Sequence, residues 1–333
     1  MKLKNNLVLL TVLASCTCMG INKKSPVDYV NPYIGNISHL LVPTYPTVHL
    51  PNGMLRIYPD RNDYTSDQIK GLPVAITSHR GSSAFNISPV QGNAVLNSQV
   101  QYYTYDNEKI TPYRYTTILD EAKISIDYAP SYKAGVYNIG LEKEDDSYLV
   151  INVGNGTLEV KDNVVSGYQI IDNTISKIYL YLETEQKPIA FGVWNNKNIR
   201  WGLSHVEGQD SAVVLMFNKK DKALNIRYGI SFISVEQAKK NLENEINTFN
   251  VNYVAKKGKE IWNKKLNKIK IKGGTENEKI IFYTSLYRTY ERMINISEDG
   301  EYFSAYDGKI HNDEGYPFFT DDWIWDTYRA THP

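Results

Sequence analysis

The chain has 333 residues, 42% of them hydrophobic, and its 37 basic and 37 acidic side chains leave a formal net charge of zero. This length favours two domains with packed cores, and the balanced charge gives no reason to expect nucleic acid or an anionic membrane surface as a partner. The 26 tyrosines fit half-buried strand faces, although an aromatic ligand-binding surface is the alternative.

Residues 1–20 are predicted to be a lipoprotein signal peptide and tether. Basic residues precede an apolar run at positions 7–13, which is too short for a permanent membrane helix. The sequence Leu-Ala-Ser before Cys16 is typical of a bacterial lipoprotein box, and a secretory signal cleaved near Gly20 is the alternative. We expect lipid modification of Cys16 and export to the periplasm or the outer-membrane surface, with that lipid as the only link to a membrane.

Residues 25–234 are predicted to form an antiparallel β-sandwich. Apolar and polar residues alternate cleanly at positions 123–128 and 224–232. Many short strands without intervening helices are typical of a sandwich. Turn signals separate the strands at Asn155-Gly156, Glu207-Gly208 and Asp221-Lys222. Further strand-like runs are residues 148–153, 178–182, 189–194 and 212–217.

The pattern changes to helices after residue 234. Ser234 with Gln237, and Thr275 with Glu278, have the spacing of capping boxes. Residues 235–266 are predicted to be a helical linker, and residues 267–333 the start of a truncated helical domain. Within the latter we expect a short strand at 268–272 and a helix whose inward face carries Ile281, Tyr283, Leu286, Tyr290 and Ile294.

Few residues carry a recognisable chemical signal. No phosphate-binding loop, metalloprotease helix or nucleophile elbow is present, and His39, His49 and His79 fall in predicted loops without ligand spacing. The densest cluster is Asp-Asp-Trp-Ile-Trp-Asp at 321–326. Tryptophan can pack on the C–H face of a pyranose while an aspartate accepts hydrogen bonds from its hydroxyls. The alternative is a buried tryptophan beside acids that cap a helix.

Several motifs in a fixed order resemble glycoside hydrolase family 92, the calcium-dependent exo-α-mannosidases. The resemblance covers residues 27–333 and is most specific in the last third. It rests on Pro-Tyr-Ile-Gly at 32–35, Pro-Asn-Gly-Met at 51–54, residues 228–243, Phe-Tyr-Thr-Ser-Leu-Tyr at 282–287 and Trp-Asp-Thr-Tyr-Arg-Ala-Thr-His-Pro at 325–333.

This resemblance implies a sandwich packed on an (α/α)6 barrel, with the substrate pocket between them. Trp325 and Asp326 match the Trp-Asp pair that grips the terminal mannose, and His39 and His79 are weaker matches to pocket residues. The family inverts configuration with two carboxyl groups. Its general acid, general base and Ca²⁺ ligands lie in later parts of the barrel, so we expect them beyond Pro333 and predict no catalytic or metal-binding residue in residues 1–333.

Three loops depart from the family pattern, at residues 36–45, 80–85 and 111–115, which indicates a divergent subgroup. The leading hypothesis is the N-terminal part of a secreted inverting exo-α-mannosidase, acting on mannose-containing glycans with α-1,2-type linkages and inactive by itself. A non-catalytic carbohydrate-binding or structural remnant of the family is the alternative. The helical residues after 234 argue against a free-standing binding module, because their apolar faces would be exposed.

Overall fold

The computed structural model describes residues 24–38, 40, 43–61, 65–77, 83–92, 100–171, 174–195 and 198–320. Within these ranges a short 3-10 helix spans Pro26–Tyr29, and three α-helices follow the strands, α1 (Val235–Glu245), α2 (Val251–Leu266) and α3 (Glu276–Arg288). The strands are β1 (Val48–His49), β2 (Arg56–Ile57), β3 (Gln68–Lys70), β4 (Leu72–Ile76), β5 (Ser83–Gln91), β6 (Tyr102–Thr111), β7 (Arg114–Leu119), β8 (Ile124–Pro130), β9 (Ala134–Leu141), β10 (Ser147–Lys161), β11 (Val164–Ile170), β12 (Lys177–Thr184), β13 (Ala190–Asn195), β14 (Asn198–Trp201), β15 (His205–Phe217), β16 (Ala223–Ser231), β17 (Ile294–Asn295), β18 (Glu301–Ser304), β19 (Lys309–Asn312) and β20 (Phe319–Thr320).

The main sheet is antiparallel, as the strand pattern predicts. Its strand order is β14-β13-β15-β10-β11-β12-β16-β9-β8-β7-β6-β3, and β5 pairs with both β10 and β4. Side chains from distant parts of this order, such as Tyr115 of β7, Leu149 of β10 and Val213 of β15, meet in one apolar core. The predicted mixed fold, a β-sandwich followed by helices that begin a second domain, is therefore confirmed.

Two of the three predicted turns are wrong. Asn155-Gly156 lies inside β10 and Glu207-Gly208 lies inside β15. Along one edge, β10 pairs with β5 over Ser147–Asn152 and then with β11 from Gly156 onwards. Along its other edge, β10 pairs with β15. A Cβ at Gly156 would lie 2.0 Å from the carbonyl oxygen of Tyr168, so glycine permits the close approach of β11. Asp221 does occupy a turn, since its N–H donates to the Asn218 carbonyl.

Tyrosine supplies much of the sandwich core. Tyr115, Tyr128, Tyr137 and Tyr228 are fully buried. The hydroxyls of Tyr137 and Tyr228 donate to the carbonyls of Pro73 and Val74 on β4, each at 2.7 Å, and the Tyr128 and Tyr228 hydroxyls lie 3.1 Å apart. Buried phenols need such partners. Burial raises the pKa of all four phenols.

One of the two predicted capping boxes is complete. At α3, the backbone N–H of Thr275 donates to Glu278 Oε2 at 2.7 Å, and the N–H of Glu278 donates to Thr275 Oγ1 at 3.2 Å. At α1, Ser234 Oγ accepts the N–H of Gln237. The Gln237 side chain does not reach back, because its Nε2 donates instead to Asn241 and Asp299.

The helices pack on the sandwich through two further apolar clusters. One joins Ala129 and Val136 to Leu242 and Val254, so α1 and α2 both lie against the sheet. The other gathers Val27, Leu50, Trp262, Leu266, Tyr283 and Tyr287. Trp262 Nε1 donates to the His49 carbonyl at 2.8 Å, which attaches α2 to β1.

Three sequence predictions fail around α3. No strand forms at residues 268–272, since no described strand pairs with this segment. Ile281 is 59% exposed, whereas Tyr283 and Tyr287 are buried, because the described residues cover only one side of the helix. Helix α3 ends at Arg288, so Tyr290 lies beyond the helix and Ile294 belongs to β17. Among the described residues, we find no helix with the length and apolar character needed to span a membrane.

Candidate functional site

A cleft of about 1010 Å³ lies between one face of the sandwich and the segment that follows α3. The sandwich side is formed mainly by β5, β10, β11 and β15, with Lys70 of β3 and Tyr102 of β6, and the opposite wall by residues 294–320. The sandwich contributes mainly uncharged polar side chains: Thr77, Ser83, Asn152, Asn155, Gln169, Thr174, Ser176 and Gln209. The opposite wall contributes mainly apolar and aromatic ones: Ile294, Ile296, Phe303, Tyr306 and Phe318.

Gln169 is the most firmly oriented polar side chain of the cleft. Its Oε1 accepts the backbone N–H of Phe85 at 3.1 Å and that of Gly154 at 3.0 Å. Because both partners are donors, the amide orientation is fixed and Nε2 remains as a donor. A Cβ at Gly154 would lie 3.2 Å from that Nε2, so the glycine leaves room for the amide. The junction of β5, β10 and β11 therefore presents a preoriented donor at the cleft.

The backbone beside Gln169 enters the left-handed region at two non-glycine residues. Phe85 has a φ of 55° and Asp210 a φ of 50°. A bulky residue such as Phe85 rarely adopts this conformation, whereas aspartate does so more often. The pairing of β5 with β10 ends at Asn86, the residue next to Phe85. On β15, Asp210 has no paired residue on β10, because its neighbours Gln209 and Ser211 pair with Asn155 and Val153. Such outliers persist only where the surrounding structure enforces them and often accompany binding sites.

The opposite wall is fastened to the sandwich by one buried carboxylate, Glu298, which is 1% exposed. Its Oε1 accepts the N–H of Phe232 at 2.9 Å and its Oε2 accepts Asn241 Nδ2 at 2.6 Å. Burial raises the pKa of Glu298, and hydrogen bonds from Ser231, Phe232 and Asn241 only partly offset that effect. Ile294 and Ile296 insert into the main core beside it, so the wall has a defined position.

An aromatic stack shapes the hairpin of β18 and β19. The rings of Tyr302 and Phe318 lie parallel with centroids 3.9 Å apart, and His311 stacks on Tyr302 at 5.6 Å. His311 Nε2 lies 3.0 Å from Asp307, and this hydrogen bond lowers the pKa of Asp307. The stack leaves Tyr306 fully exposed at the edge of the cleft, where its ring is open to a ligand.

The chemistry of the cleft suits a neutral, hydroxyl-rich ligand. Amides and hydroxyls can both donate and accept, and aromatic rings offer apolar faces. Asn152 Oδ1 is a buried acceptor without a partner among the described residues. Charged groups are few in the described lining, with Lys70 and Asp210 the two that contribute.

All five residues singled out from the sequence lie outside the described residues: Cys16, His39, His79, Trp325 and Asp326. Pro333, beyond which we expect the general acid and general base, lies outside them as well, so the structure does not test that prediction. Two chain neighbours of the predicted substrate contacts do line the cleft, namely Thr77, two positions before His79, and Thr320, five before Trp325.

The third histidine of the predicted loops, His49, is a core residue instead. It belongs to β1 and is 1% exposed. Its Nδ1 lies 2.9 Å from the Leu50 carbonyl, and its ring packs edge-on against Trp262. Burial lowers its pKa to about 4, so the ring is neutral at pH 7.

Sequence reasoning missed the polar residues of the cleft. A usable signal existed for Asn152, which interrupts the apolar run of residues 149–153. Glu298 and Gln169 gave no such signal, because their roles depend on groups that are distant in the sequence.

Clusters of metal-binding side chains are absent from the described residues. Within them, no group of three or more His, Cys, Asp or Glu side chains is arranged to hold a metal ion. Ca²⁺ takes six to eight oxygen ligands, and the resemblance places its protein ligands beyond Pro333.

Comparison with known families gives two matches that together cover most of the chain. The glycosyl hydrolase family 92 N-terminal domain matches residues 29–231, and the glycosyl hydrolase family 92 catalytic domain matches residues 237–333. A comparison with curated proteins returns no significant match.

Solved structures of the same family share the fold. An inverting mannosidase of family 92 from Bacteroides thetaiotaomicron VPI-5482 is 27% identical with a TM-score of 0.83, over 93% of this chain and 46% of the other. A family 92 α-mannosidase from Bacteroides thetaiotaomicron is 21% identical with a TM-score of 0.83, over 92% of this chain and 46% of the other. It has also been solved with mannoimidazole. The chain thus spans less than half the length of these relatives.

Proposed function

Because this chain belongs to glycoside hydrolase family 92, we propose that it is the N-terminal part of a secreted, inverting exo-α-mannosidase. The expected substrate is a mannose-containing glycan, with α-1,2-type linkages. The observation that carries the proposal is the cleft beside Gln169, because its mainly uncharged polar sandwich side and its aromatic opposite wall match the chemistry of a sugar. The 27% identity to an inverting mannosidase supports the same assignment.

Four residues outside the described ranges enter this proposal as substrate contacts. Trp325 would pack against the terminal mannose and Asp326 would accept hydrogen bonds from its hydroxyls. His39 and His79 would contribute from the sandwich loops. The proposal is supported by their sequence neighbours Thr77 and Thr320, which line the cleft, and by the α-mannosidase relative that was solved with mannoimidazole.

Hydrolysis by inversion needs an acid and a base whose carboxyl groups are about 6.5–9.5 Å apart. The family places these groups, and its Ca²⁺ ligands, in parts of the barrel that would follow Pro333 and have no counterpart in residues 1–333. We therefore expect residues 1–333 by themselves to release no mannose from α-1,2-mannobiose. Detectable release would contradict this. In an enzyme that includes the barrel, a calcium chelator should abolish turnover.

A second candidate function is glycan binding without cleavage. The described lining of the cleft favours this function, because it includes a single carboxylate, Asp210. Hydrolysis by an acid and a base would need two carboxyl groups. Calorimetric titration of residues 1–333 with mannose and α-1,2-mannobiose tests binding directly. We expect Asn155→Ala in the cleft to weaken binding about tenfold, equivalent to about 1.4 kcal/mol. The exposed turn variant Asn218→Ala is the control and should bind like the wild type.

The proposed export rests on the lipoprotein box at Cys16. In cells fed a labelled fatty acid, the wild-type chain should acquire label and Cys16→Ser should not. Label that remains on Cys16→Ser would rule out this attachment site, whereas a wild-type chain without label would favour the secretory-signal alternative.

A further inference from the structure

A chain of zero net charge carries one strongly basic segment. Residues 256–272 contain eight lysines and a single acidic residue, Glu260. The net charge of zero sums over the whole sequence and therefore conceals this basic segment.

The fold presents most of these lysines to solvent. Helix α2 buries Val254, Gly258 and Trp262 and exposes Lys256, Lys257 and Lys264 on the opposite side, as the 3.6-residue period requires. The exposed lysines at positions 268, 270 and 272 follow directly. We call these six residues the lysine surface: Lys256, Lys257, Lys264, Lys268, Lys270 and Lys272.

The lysine surface is not neutralised within the described part of the chain. None of its six ammonium groups forms an ion pair with a described residue. Of the two remaining lysines of the segment, Lys259 pairs with Asp28 at 2.7 Å and Lys265 lies over the ring of Tyr290. Within the lysine surface, Lys257 lies over the ring of Tyr253, a contact that leaves its charge in place. Like charges this close repel one another unless an anionic partner is present.

The N-terminal end of the described chain lies against the same helix. The N–H of Val27 donates to Asn263 Oδ1 of α2 at 3.1 Å, and Lys24 forms an ion pair with Glu276, four positions after Lys272. Cys16 precedes Lys24 by eight residues, which reach at most about 28 Å when fully extended. A lipid on Cys16 would therefore hold α2 close to the bilayer.

We propose that the lysine surface binds the anionic phospholipid headgroups of the leaflet that holds the N-terminal lipid. The contact sets which face of the sandwich is turned toward the membrane. Each lysine near an anionic surface strengthens binding about fivefold. The orienting role rests on the proposed acylation of Cys16, whereas headgroup binding can be measured without it and without mannosidase activity.

The test uses the unacylated mature chain, residues 16–333 with Cys16→Ser. Sedimentation with vesicles measures binding to pure phosphatidylcholine and to an equal mixture of phosphatidylcholine and phosphatidylglycerol. We expect binding to the mixed vesicles alone, and loss of that binding as salt is raised. Equal binding to both vesicles, or to neither, would overturn the proposal.

Charge reversal locates the contact. The triple variant Lys256→Glu, Lys264→Glu and Lys268→Glu should lose at least tenfold in affinity for the mixed vesicles. The matched control reverses three exposed lysines elsewhere, Lys187, Lys219 and Lys220, and should bind like the wild type. An equal loss in both variants would show that only total charge matters and would contradict a specific surface.

Two further experiments separate membrane binding from a folding defect and from capture of free phosphate. The same three positions changed to glutamine keep the fold with a smaller charge change, so they should lose affinity to a lesser degree, and unchanged binding would refute the proposal. Inorganic phosphate added at constant ionic strength should not displace the protein from vesicles. Displacement would assign the lysines to isolated phosphate ions instead of a membrane.

Discussion

Glu298 connects the opposite wall of the cleft to the sandwich, and its hydrogen-bond donors include residues of different elements. Phe232 follows β16 and Asn241 lies in α1. Replacement by alanine would leave the buried N–H of Phe232 without an acceptor, whereas Asn241 keeps its bond to the Ile230 carbonyl.

We expect Glu298→Ala to lower the free energy of unfolding by about 1–3 kcal/mol, the usual cost of one buried unsatisfied donor. Urea denaturation measures this change. Glu301→Ala, an exposed glutamate of the same hairpin, is the control and should stay within about 0.5 kcal/mol of the wild type. Equal effects of the two variants would mean that Glu298 does not hold the wall.

The raised pKa of Glu298 predicts a pH dependence of stability. Burial lifts the folded-state pKa above the ordinary value of 4.5, so the folded chain binds the proton more tightly than the unfolded one. Stability from this group is therefore fully present below pH 4.5 and is lost as the pH rises through the folded-state pKa.

Glu298→Gln lacks this titration. The unfolding free energy of the wild type minus that of Glu298→Gln should decline as the pH rises above 4.5. Urea denaturation of both proteins at a series of pH values gives the difference, in which other titrating groups such as Glu245 cancel. A difference that grows with pH would show that the buried carboxylate is stabilised by its hydrogen bonds more than it is penalised by burial.

At the scale of elements, the capping box of α3 was predictable because it depends on residues three positions apart. Thr275→Ala removes the side-chain acceptor of the Glu278 N–H and should cost about 1 kcal/mol of stability. Thermal unfolding of the variant checks this value. Ser285→Ala, on the exposed side of the same helix, should leave the melting temperature unchanged, and a comparable drop there would argue against a capping effect.

The contact of α1 with the sheet leaves no room at Gly229 of β16. A Cβ there would lie 2.2 Å from the carbonyl oxygen of Ala238 and 3.0 Å from Leu242, so Gly229→Ala must displace the helix backbone. We expect a loss of about 1–3 kcal/mol in urea denaturation. At Gly140 of β9 the nearest atom is the hydroxyl of Ser125, which can rotate away. Gly140→Ala should therefore cost clearly less, and the reverse order would contradict the packing argument.

The errors in the sequence predictions share one cause, which is contact with distant parts of the chain. Asn155-Gly156 has turn chemistry, but β11 lies so close to Gly156 that only glycine fits. Gln237 has capping-box spacing, but Asp299 competes for its amide. The strands and α2 were predictable because their signals are local: apolar residues alternate along the strands and recur every three to four positions along the helix. The cleft was not, because Gln169 acquires its role from Phe85 and Gly154.

At the scale of the whole molecule, the helices and the sandwich share apolar clusters. Leu242 and Val254 pack with residues of β8 and β9, and Trp262 bonds to β1. We expect residues 24–320 to unfold in one transition, so that urea curves from tryptophan fluorescence and from far-ultraviolet circular dichroism coincide. Two separated transitions would show that α2 and α3 melt independently of the sheet.

The long central strand β10 also has a consequence for how the chain acquires its structure. Ser147 pairs with Phe217, and Glu159 with His205, so one side of β10 stays unpaired until β15 has emerged. Pairings between such distant residues form slowly, because the intervening loop must close first. During synthesis, the sheet therefore closes late. The export proposed above would benefit, because a chain that is still unfolded can pass through a narrow channel.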